Sequence, residues 1–173
     1  LLQLLADKID RLNDLIGRTI AWLTLGMVVV TFLVVLLRYA FSIGWISMQE
    51  SVTYMHALVF MLGAAYALLK GAHVRVDIFY QRVTLTTRAW IDLLGSILLL
   101  VPFCVFLIWA SWDYVENSWQ LLEGSREAGG LPAVFLLKTC IPAMAVLMLL
   151  QGFSTILRSI IQIRSHDEAP DNG

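Results

Sequence analysis

Few side chains in this sequence could do chemistry in an apolar setting. His56 lies within an otherwise uncharged run from Ser51 to Leu69. An ionisable residue inside a membrane-length segment is a functional candidate by default. The plainer reading, adopted here, is a neutral imidazole bonded to a neighbouring helix, because no second histidine shares such a run. His73 follows in the next connecting segment and His166 lies near the C-terminus. Haem ligation by two histidines of one chain therefore lacks a second ligand at matching depth. Glu50 opens the same run. The tetrad Ser47-Met48-Gln49-Glu50 fits a capping box, with Ser47 at the N-cap and Glu50 three positions on. That would put the carboxylate near the positive end of a helix dipole. An ion-coupling carboxylate is the sharper alternative.

Gly63, Ala67 and Gly71 recur every four residues along the second apolar run. Small residues at that spacing let another helix approach closely, either within the same chain or from a partner subunit. A later segment carries Asp113, Glu116, Glu123 and Glu127 against Arg126 and closes on Gly129-Gly130-Leu131-Pro132. This acidic stretch reads as a solvated loop, or as a docking surface for a basic patch on a soluble partner. Cys104 and Cys140 both sit in apolar runs and read as small hydrophobes, neither a disulfide nor a metal pair. No phosphate-binding glycine loop, nucleophile–histidine constellation or metal-spaced cluster is legible. The expectation is a protein that is not an enzyme and carries no cofactor.

The elements that must hold these residues follow from composition. Of 173 residues, 59% are hydrophobic and 14% charged, against about half and a quarter in soluble domains. The net charge is −1 and no basic patch occurs, which argues against nucleic acid as a partner. Four stretches reach the roughly 20 apolar residues that a membrane crossing needs: Thr19 to Leu37, Ser51 to Leu69, Leu93 to Trp112 and Ala133 to Leu157. Pro102 and Pro142 fall within the last two, as membrane helices tolerate. The expected fold class is an all-α integral membrane protein with four transmembrane helices. Its single membrane domain covers 1–164, with spans near 18–38, 48–70, 90–112 and 132–157, followed by a disordered tail over 165–173.

Two further segments read as interfacial. Leu2, Leu5, Ile9, Leu12 and Ile16 form a helical stripe opposite Asp7, Lys8, Asp10, Arg11 and Asp14. That pattern predicts an amphipathic helix over about 1–16, lying on the membrane surface or against a partner. It lacks the order of a secretory signal. A shorter stripe of Val76, Phe79, Tyr80 and Val83 predicts a small interfacial helix between spans two and three. Orientation follows from Lys and Arg. Lys8, Arg11, Arg18, Lys70, Arg75, Arg82, Arg88, Arg158 and Arg164 fall on one side, and Arg38, Arg126 and Lys138 on the other. Nine against three predicts that both termini are cytoplasmic. Trp45, Trp90, Trp112 and Trp119 lie near span ends, as interfacial anchors do.

The stretch from Trp45 to Asp77 has a recognisable order. After Trp45 and Glu50 come Phe60-Met61-Leu62-Gly63-Ala64-Ala65-Tyr66-Ala67, then Lys70-Gly71-Ala72-His73-Val74-Arg75-Val76-Asp77. This resembles the DctQ family, the small membrane subunit of tripartite ATP-independent periplasmic (TRAP) transporters. Arg38-Tyr39, the Gly-Gly-Leu-Pro entry to the fourth span, Lys138 and Pro142 fit as well, so the likeness covers nearly all but the tail. Gln49 departs from the family pattern, which often has the first of two acids there. The resemblance implies a bacterial inner-membrane system of three parts. A soluble periplasmic binding protein captures a solute, typically an organic acid. A large multi-span membrane subunit moves it inward, coupled to sodium. The small subunit packs beside the large one among membrane lipids as a scaffold, and helps receive the binding protein.

On this reading Trp45, Glu50, Gly63, Ala67 and Gly71 are candidates for the subunit interface. Asp113, Glu116, Glu123 and Glu127 are candidates for docking the binding protein. His56, His73 and Asp77 are candidate structural polar residues. Two other functions are open to these residues. One is a haem-bearing anchor of a redox complex, which needs axial ligands beyond His56. The other is a stand-alone dimeric exporter coupled through Glu50.

Overall fold

Residues 2–72 and 84–167 are described by a computed structural model of the chain. They form α1 (Leu2–Phe41), α2 (Ile46–Leu69), α3 (Leu85–Gln120) and α4 (Val134–Asp167), all long and apolar enough to cross a membrane. The protein is an all-α, four-helix, membrane-spanning bundle. Its burial is inverted relative to a soluble domain. Trp22, Phe32, Phe60, Leu99 and Trp109 lie on the outside, while the buried positions are mostly small, among them Ala6, Ala65, Ala89, Ala145, Cys104 and several serines, with Asn13, Gln151 and Leu157 the larger exceptions. Lipid solvates large apolar side chains as well as a core does, so the inside is left to small residues that let backbones approach. Cys104 and Cys140 are both buried and unpaired.

α4 is the central element and packs against α1, α2 and α3. α1 also packs along α2. The start of α1 and the end of α4 meet at one end of the bundle, termed proximal. The α1–α2 and α3–α4 connections lie at the opposite, distal end. α2 and α3 diverge and leave an apolar groove of about 630 Å³, walled by Gly63 and Ala67 on one side and Phe103 and Leu107 on the other, with Met144 and Met148 as floor.

α1 has 40 residues, about 60 Å at 1.5 Å per residue and twice the roughly 30 Å of hydrocarbon. The separate N-terminal interfacial helix expected over 1–16 is instead the first part of this one helix. Its leucines are not the packed side either. Leu2, Leu4, Leu5, Leu12 and Leu15 are exposed, whereas Ala6, Asn13 and Gly17 are buried. The fold packs the narrow stripe of small and polar residues, because that stripe meets hydrogen-bonding partners on α4. At Gly17 a Cβ would collide with the Tyr66 ring, so glycine is what allows α1 to lie this close to α2.

α3 contains a π-helical turn at Ser96–Leu100, directly ahead of Pro102. Proline lacks a donor and its ring clashes with the carbonyl four residues back; a widened turn removes that conflict. α2 ends in a Schellman motif: Ala72 N donates to Ala67 O at 2.8 Å and Gly71 N to Leu68 O at 3.1 Å. Gly71 adopts φ +65° there, the left-handed conformation that favours glycine. The same motif ends α3 with a leucine in the glycine position, Leu122 at φ +44°.

Two other expectations fall at or beyond the edges of the described residues. α4 continues to Asp167, past the boundary at 165 expected for a disordered tail, and positions 168–173 lie outside the described residues. The short interfacial helix of Val76, Phe79, Tyr80 and Val83 also lies outside them, as do His73 and Asp77.

Candidate functional site

The polar side chains that the helices gather lie in two clusters, one at each end. At the distal end α2 begins at Ile46 with Trp45 as N-cap, and no side chain caps it. Ser47 is therefore inside the first turn, and the capping box expected for Ser47 and Glu50 does not form. Glu50 turns to the α3–α4 connection instead. One carboxylate oxygen accepts from Ser125 Oγ, and the other from the Leu131 backbone N at 2.6 Å. A tertiary backbone donor and a hydroxyl displace the local cap because the connection folds back over the start of α2. That connection is itself closed, with Ser125 N donating to Leu131 O at 2.9 Å and Gly130 N to Glu127 O at 3.0 Å. At Gly130 a Cβ would strike Ser125 and Glu50, so this glycine admits the carboxylate.

Next to it, Glu123 accepts from Lys138 Nζ and from Ser118 Oγ at 2.7 Å. Lys138 also lies 3.9 Å from the centre of the Tyr114 ring, a cation–π contact. Trp119 Nε1 donates to Thr139 Oγ1 at 2.8 Å, and its ring meets Phe135 edge-on at 4.7 Å. The hydrogen bond from Lys138, then that from Ser118, holds the Glu123 carboxyl below its ordinary 4.5 against a smaller opposing effect of burial. Of the acidic residues read as a docking surface, Glu123 is thus committed within the chain. Asp113, Glu116 and Glu127 are exposed, as is Arg126; Glu116 accepts from its helix neighbour Gln120, at 3.3 Å.

At the proximal end, Arg158 donates to Asp7 at 2.8 Å and to Asp10 at 2.6 Å and 3.0 Å. Asp10 also accepts from Ser154 at 2.6 Å and from Gln151 at 2.9 Å. Gln151 accepts in turn from Asn13 Nδ2 at 2.7 Å, and both residues are buried. One turn along, Asp14 pairs with Lys70 and with Arg18, each at 2.7 Å. This clasp fastens α1 to α4 and α2, and the residue-by-residue reading missed it. The signal was present: Gln151, Ser154 and Arg158 fall at i, i+3 and i+7, and Asp10, Asn13 and Gly17 likewise, each set on one helix face.

The remaining candidates separate. Gly63 and Ala67 wall the apolar groove, and a Cβ on Gly63 would only touch Ile20, at 3.7 Å. Gly71 has a backbone role of its own. Trp45 is exposed beside the α2 start. His56 is exposed and stacks on Phe60 of its own helix, with ring centres 6.2 Å apart, and forms no hydrogen bond. The expected bond from His56 to a neighbouring helix of the chain is absent, because the side chain points away from the bundle. Among the described residues no group of three or more potential ligands could hold a metal ion.

A family model described as "Tripartite ATP-independent periplasmic transporters, DctQ component" matches residues 27–162. No curated protein and no solved structure matches the chain.

Proposed function

The chain belongs to the DctQ family and is a small membrane subunit of a TRAP transporter, and from that premise we propose that it acts as the fixed frame for a large solute-translocating subunit. It is a transport component and not an enzyme. The haem-anchor and exporter readings give way to this membership. The observation that carries the frame reading is that the bundle is fastened at both ends by side-chain networks joined to α4. A transport domain changes access by moving relative to something that stays still, and a four-helix unit pinned at both ends supplies that. The apolar spans fit a subunit that binds no solute of its own.

The proposal extends to the whole assembly. The proximal end faces the cytoplasm of a bacterial inner membrane, with both termini there, and the distal end faces the periplasm. The large multi-span subunit packs against the outer surface near Trp45, Gly63 and Ala67, with membrane lipids around the contact. Asp113, Glu116 and Glu127 help receive a loaded periplasmic binding protein, and uptake of an organic acid is driven by sodium. The domain is one unit to about 164.

The test is a pull-down of the tagged chain from its native membrane in mild detergent, with mass spectrometry of what accompanies it. A large polytopic membrane protein at equal stoichiometry is the expected result. A chain that emerges alone, or with soluble redox subunits, would overturn the proposal.

A further inference from the structure

His56 lies close to the middle of α2, whose ends are Ile46 and Leu69, so its backbone sits about 15 Å from one end and about 20 Å from the other at 1.5 Å per residue. It cannot reach an interface by snorkelling. Its side chain faces outward and its ring stacks on Phe60 of its own helix. A hydroxyl in such a place can return to its own backbone, as Thr139 and Thr155 do. The His56 imidazole, with one donor and one acceptor, makes no such bond here. Facing hydrocarbon, both groups would stay unsatisfied, and polar side chains within spans are almost always turned toward protein or a water-filled cavity. Gln49, Thr53 and His56 are exposed at i, i+4 and i+7 and continue into Phe60, all on one stripe of α2. Below Phe60 the stripe passes into the groove between α2 and α3.

We infer that this stripe is the seat of one transmembrane helix of the large subunit, carrying a hydrogen-bonding side chain at the depth of His56 and apolar side chains that enter the groove beside Gly63 and Ala67. The inference rests on the proposed frame role and names the surface that role uses. Lipid is the poorer occupant, since acyl chains offer the imidazole nothing. A second copy is also poorer, because a two-fold contact needs a self-complementary patch and a groove set against a groove leaves a void. The outward faces of α1 and α3, with Phe32 and Phe106, suit acyl chains.

The experiment places a benzophenone side chain at Thr53 or Phe60, and at Phe32 or Phe106 as controls, in cells expressing the complete transporter. Irradiated membranes should yield a crosslink to the large subunit from Thr53 and Phe60 in preference to the controls. Crosslinks to a second copy, to lipid alone, or chiefly from Phe32 or Phe106 while the large subunit still co-purifies would overturn the surface and leave the frame role standing. Failure of the large subunit to co-purify with the unaltered chain would overturn both. In parallel, His56→Leu should lower recovery of the large subunit roughly threefold, the effect of one average interhelical hydrogen bond, and His56→Gln should restore it. Equal recovery with all three side chains counts against the inference.

Discussion

Glu123 accepts from Lys138 and Ser118, while Lys138 rests over the Tyr114 ring. A carboxyl in that position is more acidic when folded than when unfolded. Its contribution to stability is therefore complete above the ordinary value of 4.5 and is lost as pH falls through the lower folded value. Thermal unfolding of the purified protein should show Glu123→Gln less stable than the unaltered chain at neutral pH, with the gap closing below about 4.5. A gap that stays constant down to strongly acid pH would assign the loss to packing and not to the charge. Glu50 teaches a related lesson. Its sequence context pointed to a local cap, yet both oxygens serve the α3–α4 connection. Local chemistry proposes a partner, and a stronger tertiary donor displaces it.

Among the elements, α1 departs furthest from what its pattern suggests. Its leucine stripe is exposed, and its packed side is the seam of Ala6, Asp10, Asn13 and Gly17. Close approach of α1 to α2 depends on Gly17, where Tyr66 occupies the space that a side chain would need. Gly17→Ala should destabilise the bundle by about 1–3 kcal/mol, the usual cost of forcing bulk into a packed contact. Thermal unfolding in detergent would read this. A variant as stable as the unaltered chain would mean that Tyr66 has another rotamer available and the contact is loose. α3 shows the opposite relation between sequence and element. Pro102 reads in the sequence only as a proline that a membrane helix tolerates, and the π turn at Ser96–Leu100 is how the helix absorbs it.

As a whole molecule, the subunit presents an apolar belt with ordered polar clusters at its two ends. The distal cluster turns Glu123 inward and leaves Asp113, Glu116 and Glu127 exposed against Arg126. If this end receives the binding protein, as proposed, reversing those three charges should slow encounter and leave assembly intact, since exposed charges act mainly on association rate. Uptake at limiting binding-protein concentration should fall severalfold, by an amount that shrinks as salt screens the charges. Unaltered uptake under those conditions would remove the docking role. Glu123 is the informative contrast, because its reversal would disturb the loop whether or not anything docks.

Four membrane helices and the family were legible in the sequence, since length of apolar run and motif order are local properties that hydrocarbon thickness and backbone satisfaction constrain tightly. The order of Trp45, Glu50, Gly63 and Gly71 through Asp77 is by itself enough to mark the likeness to the DctQ family. Which polar residue meets which was another matter. Asp10 with Arg158, Asn13 with Gln151, and Glu50 with Leu131 lie 148, 138 and 81 positions apart, and no spacing rule within one helix reaches that far. The sequence reading turned His56 toward a neighbouring helix and the structure turns it outward, because a helix in lipid has no polar side to betray its rotation. Only the way four helices turn about α4 settles which stripe is enclosed, and the enclosed stripe is the one whose small and hydrogen-bonding groups fit its neighbours.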